Sequence, residues 1–127
     1  MKYYYKKQAL VPFLEAVEKT KAALAKEGFG ILSEIDVRAT LKAKLDQEFD
    51  NYVILGACNP PLAHQALLVE KDIGLLLPCN VLVYEDAGTV FVSAIVPSVA
   101  MGFVNNEALT PIANEVDEKL KRVVDAV

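Results

Sequence analysis

The spacing of polar and apolar residues changes period several times along the chain, and each change predicts an element. Tyr3-Tyr4-Tyr5 is aromatic and bounded by lysines, the composition of a strand near a sheet edge. From Leu10 to Glu27 the apolar residues Leu10, Phe13, Leu14, Val17 and Leu24 recur at helical spacing, with Glu15, Glu18, Lys19, Lys26 and Glu27 on other faces. Pro12 suits the first turn of that helix, Glu15 and Lys19 make an i,i+4 pair, and Gly28 stands where a left-handed residue would end it. Phe29, Ile31, Ile35 and Val37 then alternate with polar or small neighbours, which predicts a half-buried strand. Asp36 is placed to cap a short helix with Val37, Leu41 and Leu45 on one side.

Tyr52 to Cys58 is apolar on both alternations and so reads as a central strand covered on both faces. It stops at Asn59-Pro60-Pro61, an N-cap followed by a favourable first helical residue, and a third helix should run from about Pro60 to Lys71 with Leu62, Ala63, Ala66 and Leu67 inward. Period alone does not decide Ile73 to Leu77. Val81–Glu85 and Thr89–Val96 are rich in β-branched residues and are joined by Asp86-Ala87-Gly88, which predicts an antiparallel hairpin. A connection from Ser98 to Asn106 carries the apolar residues Val99, Met101, Phe103 and Val104. The last helix shows one stripe, Leu109, Ile112, Val116, Leu120, Val123 and Val127, with Thr110-Pro111 as its cap and first residue or as a kink. Its outer face reads as three pairs, Glu115–Lys119, Asp117–Lys121 and Glu118–Arg122. The order β-α-β-α-β-α-β-β-α calls for a helix layer on one sheet face, and leaves the other face to short helices, a partner subunit or a ligand.

Composition narrows the class. At 127 residues and 54% hydrophobic, the chain has the size of one compact domain spanning 1–127, and it needs no disulfide or structural metal to hold it. No apolar stretch approaches the roughly 18 residues of a membrane span. The start, Met1 to Lys7, lacks the apolar core of a secretory signal, so a cytoplasmic location is expected and the two cysteines are expected to be thiols. A net charge of −4, with no basic run longer than two residues, excludes an electrostatic footprint for nucleic acid.

The candidate chemistry centres on a repeated dipeptide: Cys58-Asn59 before Pro60, and Cys79-Asn80 after Pro78, 21 residues on. If the third strand pairs with the 81–85 strand in antiparallel fashion, Cys58 and Cys79 become possible neighbours. Four readings stay open. The cysteines are small buried side chains with asparagines as cap and turn residues; or Cys58, just before a helix N-terminus, is a reactive thiolate; or Cys58, Cys79 and His64 hold a metal with a carboxylate, against which stands the lack of ligand spacing; or the two form a redox disulfide. His64, the only imidazole, is either a surface residue or a base near Cys58. Glu34/Asp36 and Glu85/Asp86 are explained as a solvated strand face with its cap and as a turn. Gly28-Phe29-Gly30 leads into a strand and is not a nucleotide fingerprint. The apolar 98–106 connection packs on its own core, contacts a dimer partner or closes over a pocket.

The runs Tyr52-Val53-Ile54-Leu55-Gly56-Ala57-Cys58-Asn59-Pro60-Pro61-Leu62-Ala63 and Gly74-Leu75-Leu76-Leu77-Pro78-Cys79-Asn80-Val81 closely resemble a family of small prokaryotic proteins, domain-of-unknown-function family 302. The resemblance continues upstream through residues 28–42 and downstream to Pro97. It implies an α+β fold, β-α-β(4)-α and similar to TATA-box-binding-protein-like domains: a curved, mainly antiparallel five-stranded sheet, the two long helices on one face and the short helices as insertions. It implies no established substrate, cofactor or catalytic residue, and leaves open whether the protein is an enzyme. The sequence is therefore read as a small-molecule-binding or sensing domain, expected to be a homodimer. Its site would lie near Asn59, Pro60 and Asn80, with Cys58, Cys79 and His64 as candidate reactive groups and no metal, nucleic acid or membrane as a partner. A thiol-dependent enzyme, a redox or metal protein using Cys58 and Cys79, and a structural homodimerisation module are its rivals.

Overall fold

The computed structural model describes residues 2–127; Met1, which belongs to the 1–7 start and the 1–127 span read above, lies outside the described residues. Strands β1 (Tyr4–Ala9), β2 (Gly30–Asp36), β3 (Tyr52–Cys58), β4 (Cys79–Asp86) and β5 (Thr89–Ile95) form one antiparallel sheet in the order β1-β5-β4-β3-β2. Helices α1 (Phe13–Lys26) and α5 (Thr110–Asp125) pack together on one face. Helix α2 (Val37–Leu45) follows β2, α3 (Pro60–Val69) follows β3, and the four-residue α4 (Pro97–Ala100) opens the connection from β5 to α5. This is the α+β architecture expected from the sequence, with β1 and β2 as the two edges. Among the described residues no helix is long and apolar enough to cross a membrane.

The register explains why the core is continuous. Val90, Val92 and Ala94 of β5 lie beside Val83 and Val81 of β4, which lie beside Val53 and Leu55 of β3; all are buried. Because strand side chains alternate between faces, this pairing collects every second residue into one apolar stripe under the helices. α5 supplies Val116, Leu120, Val123 and Val124 to it, and α1 supplies Ala16, Val17, Thr20, Ala23 and Leu24. The Thr20 hydroxyl, fully buried, donates to the Ala16 carbonyl at 2.7 Å, so its burial leaves no unpaired group.

Local signals set the ends. Gly28 (φ 84) ends α1 in a paired closure: its N–H donates to the Ala25 carbonyl at 3.1 Å and the Phe29 N–H to the Leu24 carbonyl at 3.0 Å, while the Phe29 ring is buried. The β4–β5 hairpin turns on Ala87 (φ 51) and Gly88 (φ 85) with Asp86 opposite Thr89, a two-residue turn whose left-handed residues match the strand twist. At the far edge, Lys7 donates to the Asp125 carbonyl at the end of α5 (3.0 Å) and to the Val127 carbonyl just past it (3.1 Å), and the Tyr5 hydroxyl donates to the Asp125 carboxylate at 2.7 Å. A cation thus meets the negative end of the helix dipole.

Five expectations need correction. Leu10 and Leu14 are 87% and 75% exposed, not core; α1 turns its small residues inward because they allow a closer approach to the sheet than leucines would. Asp117 is not on the outer face of α5 with Lys121. It lies on the Ala113–Leu120–Val124 stripe, 8% exposed, and accepts from the Ser98 N–H at 3.1 Å and from the Ser98 hydroxyl. The donors of α4 need an acceptor there, and α5 is the element beside them. Arg122 forks onto Glu27 at the end of α1 (2.9 and 3.1 Å), which holds the Glu27 carboxyl below its ordinary value. Finally, β3 is not covered on both faces: Val53, Leu55 and Ala57 are buried, but Tyr52 and Ile54 are half-buried on a side that neither long helix covers. α3 ends at Val69 and passes into a 3-10 helix, Lys71–Leu76, short of the Lys71 terminus expected for it.

Replacing Leu55 by Ala should cost about 2–5 kcal/mol in urea unfolding, whereas Leu14→Ala should stay within about 0.5 kcal/mol. Equal costs would contradict the assignment of the α1 face. A Cβ at Gly56 would press on Ser33 and come within 2.9 Å of the Pro78 ring, but one at Gly30 would meet nothing within 4 Å. Gly56→Ala should therefore lower stability by roughly 1–3 kcal/mol and Gly30→Ala should not approach that loss, as compared by thermal unfolding.

Candidate functional site

Pairing β3 with β4 brings the two Cys-Asn segments to one end of the sheet, as the antiparallel reading required. The register is offset by one residue: Cys79 lies opposite Ala57, and Asn80 opposite Gly56. Since successive side chains leave a strand on opposite faces, the two thiols point to opposite sides of the sheet. Both are free, Cys79 buried and Cys58 partly exposed. Burial pushes the Cys79 thiol up to about 11, with the neighbouring Cys58 and Asp117 acting in the same direction. Among the described residues no three His, Cys, Asp or Glu side chains are grouped so as to hold a metal ion.

Asn59 spends its amide on structure. Its Oδ1 accepts from the Leu62 N–H at 3.4 Å, capping α3, and its Nδ2 donates to the Glu27 carbonyl at 3.2 Å. The same Nδ2 would lie 3.2 Å from a Cβ on Gly28, so the turn after α1 and the start of α3 fit closely. Pro60, at the first position of α3, is exposed, as is His64 one turn on. Among the described residues no hydrogen bond joins His64 to either cysteine. Asn80 is exposed on the sheet face away from α1 and α5.

Between α3, the first half of α5 and the ends of β3 and β4 lies a cavity of about 470 Å³, counted to its open mouth. Phe29, Leu62, Ala66, Met101 and Ile112 form walls, and Cys58, Asn59, Pro78 and Cys79 line the sheet end. The surface it presents is almost wholly apolar, because the one amide at its rim is already satisfied. Of the candidate residues, Cys58, Asn59 and Cys79 therefore come together at this cavity, and Pro60, His64 and Asn80 do not.

The 98–106 connection supplies part of the wall. Met101 lines the cavity, and Met101 and Val104 pack against a small buried group formed by Ala66, Ile73 and Leu109, while Phe103 is 76% exposed. Two side chains that the sequence reading missed fix this wall. Asn106 donates from Nδ2 to the Val69 carbonyl and the Glu70 carboxylate, each at 3.0 Å, and accepts from the Ala108 N–H. Asp117 anchors the start of α4 through Ser98. A signal for Asp117 was present, since 113, 117, 120 and 124 share one helical stripe. Asn106 carries a local signal as the cap of the 3-10 turn Glu107–Leu109, but nothing local marks its donor's partners, which lie 36 and 37 residues away. Chemically, the arrangement offers dispersion contacts and the Cys79 thiol, and among the described residues no acid–base pair is assembled there.

The sequence profile of the family described as domain of unknown function DUF302 matches residues 5–127. Among solved structures, the crystal structure of an uncharacterized conserved DUF302 protein from Bacillus stearothermophilus superimposes with a TM-score of 0.94 at 30% sequence identity, covering 99% of this chain and 98% of that one. No curated protein matches the chain. With the family profile matched over nearly the whole length and the fold in agreement, the chain belongs to the domain-of-unknown-function family DUF302.

Proposed function

We propose that the protein is a binding or sensing domain for a small apolar molecule, held in the cavity between α3 and α5 beside the two Cys-Asn segments. The observation that carries this reading is the cavity itself: an almost wholly apolar hollow at the end of the sheet, open at its mouth, whose wall is built by a dedicated connection. Selectivity would come from shape and from the thiol-bearing end, because no charged side chain lines the cavity. A cytoplasmic location, argued from the free thiols, goes with this reading. Thiol catalysis at Cys79 is disfavoured, since a thiol raised to about 11 is protonated at neutral pH.

Titration with the neutral fluorophore N-phenyl-1-naphthylamine should give saturable binding with enhanced emission, and Ala63→Phe, which fills the α3 wall, should weaken it at least tenfold while leaving the fold intact by circular dichroism. Absence of saturable binding, or equal binding by Ala63→Phe, would contradict the reading. For the thiols, iodoacetamide at pH 8 should modify Cys79 about a hundredfold more slowly than a thiol titrating near 9, the expected ratio of thiolate fractions for a value of about 11. Peptide mapping by mass spectrometry checks this; labelling of Cys79 in the native protein at the rate of an ordinary thiol would restore the thiol-enzyme reading.

A further inference from the structure

The face of the sheet away from α1 and α5 is apolar and aromatic, and among the described residues nothing large packs on it. Tyr52 of β3 stacks on Tyr84 of β4 with ring centroids 5.3 Å apart, and Tyr84 meets Phe91 of β5 at 5.6 Å. Ile54 and Leu82 sit beside this row as a cross-strand pair, half-buried. The cation on the face, Lys6, folds down onto it: its Nζ lies 4.9 Å from the Phe91 ring centre and donates to the Tyr84 hydroxyl at 3.2 Å. At the β2 margin, Ile35 and Phe49 are each 46% exposed and Leu45 is 62% exposed.

Helix α2 stands at that margin with no buried residue, although Asp36 caps it by accepting from the Ala39 N–H at 2.9 Å. A helix of nine residues is too short to persist in water on its own strength, so its stability must come from packing. The surface area points the same way. The chain exposes 7432 Å², whereas a compact monomer of 13.9 kDa should expose roughly 6,700 Å². The excess of roughly 700 Å² is a little less than the ~800 Å² one partner buries in a standard-size protein interface.

We propose that this face is the interface of a two-fold homodimer, the sheet of one copy against the sheet of the next, with α2 and the 46–51 segment at the margin of the contact. Charge favours a second copy over another occupant. In a two-fold contact the same surface meets itself, so a margin whose own charges cancel meets its copy without net repulsion. Here Arg38, Lys42 and Lys44 are matched by Asp46, Glu48 and Asp50, and Lys42 already pairs with Asp46 (2.8 Å) and Glu48 (3.0 Å). The chain's charge of −4 is thus carried outside this margin. A nucleic-acid strand would also stack on aromatic rings, but it needs an excess of cations beside them; Lys6 is committed to Tyr84 and Phe91, Lys2 stands over the Tyr4 ring, and the α2 margin carries as many carboxylates as cations. The proposal moves the dimer contact away from the 98–106 connection, where Phe103 remains the exposed apolar residue.

Sedimentation velocity at 1–100 μM decides the matter. The wild type should run at twice 13.9 kDa. Leu82→Lys should run as a folded monomer, and Phe103→Asp should remain a dimer. If Leu82→Lys fails to fold, the milder Leu82→Ser should show at least a tenfold weaker dimer with an unchanged circular dichroism spectrum. A wild-type monomer at 100 μM, a dimer indifferent to Leu82→Ser and Leu82→Lys, or a dimer broken by Phe103→Asp would each overturn the proposal. So would saturable binding of a fifteen-residue oligothymidylate by a monomer, lost on Tyr84→Ala.

Discussion

A sheet with its two long helices on one side has to sort its residues by face, and here that sorting organises everything else. Val53, Leu55, Val81, Val83, Val92 and Ala94 meet across three central strands, and a slip of one residue in any pair would carry its buried set to the uncovered face. The close turn at Ala87-Gly88 fixes the β4–β5 register, and Gly56, tight against Ser33 and Pro78, helps to fix that of β3 against β4. Once those registers are set, Cys79 falls opposite Ala57, the ends of β3 and β4 meet, and α3 starts beside the turn that ends α1. The cavity is what remains at that end, where α3, α5 and the connection do not fill the space above the sheet.

Much of this was legible because the signals were local. The left-handed Gly28, the Asp36 and Asn59 caps and the β4–β5 turn each act through bonds within a few residues, and each occupies the position its residue type predicts. The errors arose where a distant element chose. Hydrophobicity placed Leu14 in the core, but the phase of α1 is set by how closely it approaches β4 and β5, and the small residues Ala16, Thr20 and Ala23 win that contact. Asp117 was assigned to solvent because it is charged, yet its stripe is buried and its partner, Ser98, is 19 residues upstream. The strand β3 was read as covered on both sides; apolar residues on both alternations signal two buried faces only when something occupies the second.

The candidate site shows the same division. The repeated Cys-Asn dipeptide points to the end of the sheet where the cavity lies, but the roles of the individual residues come from geometry. Asn59 is a rivet between α3 and the end of α1, its amide fully used. Cys79 is a core thiol facing the helices, and Cys58 faces away from it. His64 stands outside the cavity altogether. The cavity is an apolar enclosure whose one rim amide is already satisfied.

The central claim, that this enclosure receives an apolar molecule, is tested most directly by methyl-resolved NMR during titration with N-phenyl-1-naphthylamine. The account predicts that the methyl signals of Leu62, Ala66, Met101 and Ile112 shift together and saturate, while those of Ile35 and Leu82 on the uncovered sheet face stay in place. Shifts confined to Ile35 and Leu82, or no saturable shift at the four cavity residues, would contradict it.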